Sequence, residues 1–274
     1  MFANKPTVLI TGSSGYLGRS LVRALLNNKK YNIYLLFENI NDTITEYPDF
    51  DIIVHLAAKV PSSGVTDEEI METNATAITN LLRHCRSGSH FVFLSSDFVF
   101  PSKKDVEYEI HAQKDPSTVY GQSKSIAEDT LLNQNDVNVT IIRTSMLYGY
   151  LHPTRNNFLN FLCNKLSNGE SIELYEDVYT RPTHVDDLSS FIVKVMQEKI
   201  FGTIHACGRD YVSRYDLAKK FSELHNYNSN LLLPISCPEN SRFQKFLNMK
   251  PCDLFLQESK ISLEDGIKNC LQRY

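Results

Sequence analysis

The sequence predicts an α/β protein built on a doubly wound, mostly parallel sheet, with a smaller, discontinuous C-terminal lobe. Three observations predict it: an apolar run that ends in a glycine loop and opens a helix, further apolar runs alternating with helical segments, and a loosening of that alternation after Gly149. Continuous apolar strands suit a sheet buried on both faces, and intervening helices make the pairing parallel. With 274 residues, 42% hydrophobic and 22% charged, the chain is long enough and apolar enough for a large core.

Residues 7–11 form the first strand, Gly12 to Gly18 the turn, and a helix runs to about Asn28. A second strand at 33–37 ends at Glu38, and a third at 52–56 is followed by Ala57 and Ala58. The interval between Phe37 and Ile52 is too short for a full helix and strand, so one crossover is reduced there. A helix beginning with acids spans Asp67 to about Arg86, then come a strand at 91–95, a helix from Ser117 to about Asn133 and a strand at 139–143. Beyond Gly149 a helix covers 157 to 166 and one more strand 202–207. The frame is Rossmann-type, with a dinucleotide-binding domain expected over 1–149, residues 178–206 returning to it, and 150–177 with 207–274 forming a substrate lobe.

The net charge of −4 disfavours a nucleic-acid partner. Six scattered cysteines without a C-x-x-C pair suggest neither disulfides nor a structural metal, and a reduced setting. Without a bilayer-length apolar run or a signal peptide, a cytoplasmic protein with no membrane partner is expected.

Gly12, Gly15 and Gly18 give G-x-x-G-x-x-G between strand and helix, where absent side chains let a pyrophosphate approach helix N-terminal amides. Ser14, Tyr16 and Leu17 lie in the same loop. Out of this context the glycines would be plain turn chemistry. Glu38, twenty residues past Gly18, can accept bonds from an adenosine ribose and repel a 2′-phosphate, which favours NAD over NADP; a solvated loop acid is the other reading. Tyr120 and Lys124 stand at i and i+4 on one helix face, where a cation brings a phenol toward acid–base work. Alone that spacing is a common accident. It gains meaning from Ser95-Ser96-Asp97 at a strand's carboxyl end, where catalytic groups of parallel sheets gather.

The sequence resembles the extended short-chain dehydrogenase/reductases in T-G-S-S-G-Y-L-G at 11–18, D-I-I-V-H-L-A-A at 51–58, Y-G-Q-S-K at 120–124 and H-V-D-D-L at 184–188. Within them it looks most like the dTDP-4-dehydrorhamnose reductase-like sugar-nucleotide reductases, in F-L-S-S-D-F-V-F at 93–100, R-T-S-M-L-Y-G at 143–149 and the stretch 202–218. The resemblance implies reduction of a nucleotide-linked 4-keto-6-deoxyhexose with NAD or NADP in deoxysugar biosynthesis. Ser96 would polarise the carbonyl with Asp97 beside it, Tyr120 would donate the proton, and Lys124 would hold the nicotinamide ribose and the phenol. It also implies that Leu56, Ala57, Ala58 and Lys59 border the cofactor after the third strand, gives Asn74 a supporting role, and allows a homodimer.

Two departures matter. Phe98 follows Ser96-Asp97 where 4,6-dehydratases carry a second acid, so water elimination lacks a catalytic group. Met146 follows R-T-S where the rhamnose branch commonly has Trp, and the chain has no Trp. In the loops that the family uses around nucleotide-sugar phosphates stand His152, Arg155, Asn156, Asn157 and Arg181, each equally readable as a surface residue. His184, Asp186 and Asp187 are read as the start of a helix rather than a metal site, and His55 as a packed core histidine. Two other functions share this frame: an epimerase with tightly held NAD, and a non-catalytic partner-binding protein like the regulatory subunit of methionine adenosyltransferase.

Overall fold

The computed structural model describes residues 5–36, 47–151, 157–239, 241 and 243–271. The chain opens with β1 (Thr7–Thr11), α1 (Tyr16–Asn28), β2 (Asn32–Leu36) and β3 (Phe50–His55). Next, α2 (Asp67–Met71) starts on a capping box in which Thr66 Oγ1 accepts from Glu69 N while the Glu69 carboxylate accepts from Thr66 N. A π-helical turn, Glu72–Thr76, separates it from α3 (Ala77–Leu82). There follow β4 (Cys85–Ser96), α4 (Val119–Leu132) and β5 (Asn138–Thr144).

The single helix expected over 67–86 is therefore interrupted and ends early, and β4 begins at Cys85 rather than near Phe91. Arg86, Ser87, Gly88 and Ser89 have the composition of a loop, yet they run beside β3. The register jumps from Phe50↔Cys85 to Ile52↔His90, so these residues bulge from the ladder opposite Asp51 alone.

The rest comprises β6 (Leu147–Tyr148), α5 (Phe158–Ser167), β7 (Ile172–Tyr175), β8 (Tyr179–Thr180), β9 (Thr183–His184), α6 (Val185–Glu198) and β10 (Gly202–His205). Then come β11 (Val212–Ser213), α7 (Arg214–Leu224), β12 (Leu232–Ile235), α8 (Asp253–Glu258) and α9 (Leu263–Lys268). Six strands form the main sheet in the order β10-β5-β4-β3-β1-β2. The pairs β1–β2, β1–β3, β3–β4 and β4–β5 are parallel. Strand order reverses at β1, between β2 and β3, so the carboxyl ends of β1 and β3 form the switch point at which such sheets bind ligands.

Two compact units emerge: residues 1–101 with 112–144 and 189–204, and residues 102–111 with 145–188 and 205–274. The segment returning to the first unit is thus 189–204 where 178–206 was expected, and 102–111 and 145–149 group with the second. Parallel pairing of Leu147 with Thr183 and of Tyr148 with His184 ties 145–149 to 178–188.

In the first unit Leu9, Ile53, Phe91, Phe93 and Ile141 of the sheet pack against Ala77, Ile78 and Leu81 of α3 and Ala127 and Leu131 of α4. The second has its own core, including Leu159, Leu162, Leu217, Phe221 and Ile267. There Asp187, in the first turn of α6, accepts from Ser259 Oγ at 2.8 Å and from the backbone N–H groups of Lys260 and Ile261 at 3.1 Å. Its carboxylate thus fastens a loop. Among the described residues no group of His, Cys, Asp and Glu could hold a metal ion, and no helix is long and apolar enough to cross a membrane.

Candidate active site

The glycine loop closes on itself at the switch point. Gly12 has φ +70°, and a Cβ there would stand 2.6 Å from Ala57 N, so loop and β3 end approach more closely than any side chain permits. A Cβ at Gly18 would meet Gly12 O at 2.2 Å, while Gly15 N donates to Gly12 O at 2.9 Å. At its N-cap, Gly15, α1 has no side-chain capping bond and no acid in its first turn. Its leading N–H groups are therefore available to an anion. Ser13 Oγ, buried, has no partner among the described residues. These features fit a dinucleotide pyrophosphate. Ser14 is exposed, Leu17 buried and Tyr16 half-buried, and Glu38 lies outside the described residues.

Leu56, Ala57, Ala58 and Lys59 follow β3 as irregular chain. Asn74, fully buried in the π-helical turn, accepts from Lys59 N at 2.8 Å and donates to Lys59 O at 2.9 Å and Ser123 Oγ at 3.1 Å. His55 is a core residue, as the sequence suggests. It lies 2.6 Å from Thr11 Oγ1 and stacks on Phe93, and burial, with the Lys124 charge, pulls its imidazole down to about 3.

Ser96 ends β4 and caps the turn beginning with Asp97, donating to Asp97 Oδ1 at 2.9 Å and accepting from Phe98 N. Gly121 lets α4 press against this turn: a Cβ there would be 2.2 Å from Phe98 O. That approach brings Tyr120 edge-on to the Phe98 ring at 5.6 Å and sets its phenol near Ser96 and Asp97. Burial, with the Asp97 charge, pushes the Tyr120 phenol up to about 12, the nearby Ser96 hydroxyl opposing. One turn on, Lys124 is 2% exposed, donates to Leu94 O at 2.9 Å and lies 4.7 Å from the Phe93 ring centroid. Burial pulls its ammonium down to about 7, with Glu128 pulling the other way.

The next turn carries Glu128, which the motifs did not reveal because an i+8 acid has no distinctive spacing of its own. Fully buried, it accepts from Ser95 Oγ at 2.6 Å and from Arg143 Nε and Nη2 at 2.9 and 2.7 Å. Burial opposes its ionisation, but these bonds and the Arg143 charge outweigh it and hold the carboxyl below the usual range.

Lys124 gives a pH signature. Its folded value lies below the ordinary 10.5, so between about 7 and 10.5 the unfolded chain holds a proton that the folded protein does not. Its contribution to stability therefore rises with pH across that window. Urea unfolding from pH 7 to 10 should show this slope in the wild type and lose it in Lys124→Met.

The RmlD substrate binding domain family matches residues 6–267. The chain belongs to this family. Among its relatives, the dTDP-4-dehydrorhamnose reductase of Aggregatibacter actinomycetemcomitans is 28% identical over 228 residues, 77% of this chain and 76% of that protein. The methionine adenosyltransferase 2 subunit beta of Bos taurus is 24% identical over 84% of this chain and 75% of its own. The crystal structure of dTDP-4-dehydrorhamnose reductase from Bacillus anthracis, in complex with NADP, superposes with a TM-score of 0.82 at 25% identity, covering 97% and 99% of the two chains.

Of the positions expected to meet substrate in this RmlD-family chain, Ser96 stands beside Tyr120, whereas His152, Arg155 and Asn156 lie outside the described residues. Asn157 and Arg181, in the second unit, are engaged by protein groups. Asn157 caps α5, its Oδ1 accepting from Asn160 N at 2.8 Å. Arg181 donates from Nε to Asn248 Oδ1, from Nη1 to Arg209 O and from Nη2 to Glu107, at 2.9, 2.6 and 2.9 Å. With its guanidinium 5.5 Å from the Tyr211 ring centroid, this buried arginine organises segments 102–111 and 205–274 of its own unit.

Proposed function

We propose that the protein is a reductase of a nucleotide-linked 4-keto-6-deoxyhexose that uses a nicotinamide dinucleotide, in deoxysugar synthesis. The observation that carries this reading is the cluster of Ser96, Tyr120 and Lys124 at the carboxyl end of β4, with the phenol near Ser96 and Lys124 one helical turn behind it, its ammonium 6.0 Å from the phenol ring centroid. Phe98, next to Asp97, stands where a dehydratase would carry its second acid, which suits carbonyl reduction better than water elimination. The relatives named dTDP-4-dehydrorhamnose reductase support the substrate class.

When bound, the dinucleotide supplies the hydride. The protein's part is to hold the ketone and deliver a proton. Ser96 Oγ, released from Asp97, would donate to the carbonyl oxygen and increase the electrophilicity of its carbon. Tyr120, protonated at neutral pH as any phenol is and the more so for its burial, would give its proton to the oxygen as the alcohol forms. The Lys124 ammonium would stabilise the phenolate left behind. Gly12, Gly15 and Gly18 with the first amides of α1 would cradle the pyrophosphate, and Leu56 to Lys59 would line the nicotinamide side. Asn157 and Arg181 would order the loops that meet the nucleotide sugar.

The test is to incubate the purified protein with NADH or NADPH and a panel of dTDP-, UDP- and GDP-4-keto-6-deoxyhexoses, following nicotinamide absorbance. Oxidation with at least one member is expected, at a lower KM for NADH if Glu38 binds the ribose. No oxidation with any of them would reject the reductase. Stoichiometric NAD retained through purification would point to an epimerase instead.

A further inference from the structure

A cavity lies in the first unit, at the end of the sheet remote from Ser96 and Tyr120. Its volume is about 1070 Å³, and its floor is built from Thr7 of β1, Ile52 of β3, Asn138 of β5 and the bulge of β4. These are the amino ends of strands whose carboxyl ends carry the glycine loop and the catalytic hydroxyls. With strands of five to seven residues the two places are separated by roughly 20 Å.

The rim is cationic. Lys5, Lys29, Lys30 and Lys199 line it, and their ammonium groups have no carboxylate partner among the described residues. The acid lining it, Asp51, is occupied by Arg86 Nη1 at 2.9 Å and by Thr7 N and Oγ1, each at 2.8 Å. Helix C-termini attract cations, which accounts for Lys29 and Lys199 where α1 and α6 end. That attraction explains neither Lys5 nor the lack of balancing carboxylates in a chain of net charge −4.

The wall supplies a different chemistry. Thr140 Oγ1 donates its single proton to Ile200 O at 2.5 Å, so it can only accept from His90 Nε2, 2.7 Å away. His90, 5% exposed, is therefore the Nε2–H tautomer, and its Nδ1 is a lone-pair acceptor without a partner among the described residues. Against it, 4.9 Å between centroids and nearly perpendicular, stands Phe201, an aromatic ring 46% exposed. An exposed ring on the cavity wall suits stacking with a planar heterocycle, and unpaired lysines suit linked phosphates.

We propose that this cavity binds a nucleoside polyphosphate, with the phosphates among Lys5, Lys29, Lys30 and Lys199 and the base on Phe201 beside His90. The site is separate from the dinucleotide loop and does not depend on which reaction that loop serves.

The experiment is amine acetylation of the full-length wild-type protein, read by mass spectrometry, with NADPH present throughout to fill the dinucleotide loop and with ATP or inorganic tripolyphosphate as probes. ATP is expected to slow acetylation of Lys29, Lys30 and Lys199 by at least about threefold and to leave Lys219 unchanged, tripolyphosphate protecting less. Calorimetry on Lys29→Glu/Lys199→Glu should show ATP affinity reduced at least about tenfold, and Phe201→Ala should weaken ATP without altering tripolyphosphate. Unprotected lysines in the wild type overturn the site altogether. Equal protection by the two probes overturns the nucleoside and reduces the proposal to a phosphate-chain site.

Discussion

Replacing Tyr120 by phenylalanine is expected to lower kcat by about 10²- to 10⁴-fold, the usual contribution of a positioned general acid. The substitution deletes one oxygen and leaves the ring edge-on to Phe98, so neither the turn at Ser96 nor the approach of Gly121 to Phe98 O is disturbed. Cofactor affinity, which the proposed reading assigns to the glycine loop and Lys124, should stay within about twofold, and kcat and kcat/KM should fall together because the lost interaction belongs to the transition state. Steady-state kinetics on an accepted substrate with calorimetry of the dinucleotide would measure both. An unchanged kcat would remove Tyr120 from the chemistry.

The second large effect is on stability. Arg143→Met would strand the Glu128 carboxylate, which is fully buried and held by two Arg143 bonds, with Lys114 at 3.3 Å as its remaining cation. Removing one partner of a buried pair costs about 3–5 kcal/mol. The pH dependence has a definite sign. In the wild type Glu128 titrates below its unfolded value, so its contribution is present above the unfolded pKa and is lost as pH falls through the folded one. In the variant burial dominates and raises that pKa, so protonation relieves the folded state. The stability gap between the two proteins should therefore narrow from pH 8 to pH 5 in urea unfolding, and a gap below about 1 kcal/mol at pH 8 would show that Arg143 does not carry the carboxylate.

The parallel sheet and the cluster at its carboxyl edge were legible in the sequence because both rest on local signals. Apolar runs marked β1, β3 and β5, and glycines marked the turn between β1 and α1. Serine at a strand end and the Tyr120/Lys124 spacing marked the cluster itself. The structure places Tyr120 beside Ser96 for a reason that the motif only hints at, the close approach of Gly121 to Phe98 O. What escaped was long-range. The bulge at 86–89 has loop composition and lies within a strand only because Cys85 and His90 on either side of it pair with β3. Arg181 had the chemistry of a phosphate ligand, but its three bonds run to Glu107, Asn248 and Arg209, positions that sequence proximity could not connect. Glu128 was invisible because its meaning comes from Ser95 and Arg143 on two neighbouring strands.

The π-helical turn at Glu72–Thr76 also bears on how this region can change by insertion and deletion. A wide turn accommodates one residue more than a regular helix does, and here the surplus carries Asn74 inward to the Lys59 backbone and Ser123. Excising Asn74 would restore an ordinary helix in which α2 and α3 keep their faces. The amide that joins Lys59 to Ser123 would be lost with it. Point substitutions on the outer surface of α2 and α3 are thus a mild kind of change, whereas loss of the Asn74 codon would uncouple the chain beyond β3 from the helix bearing Tyr120.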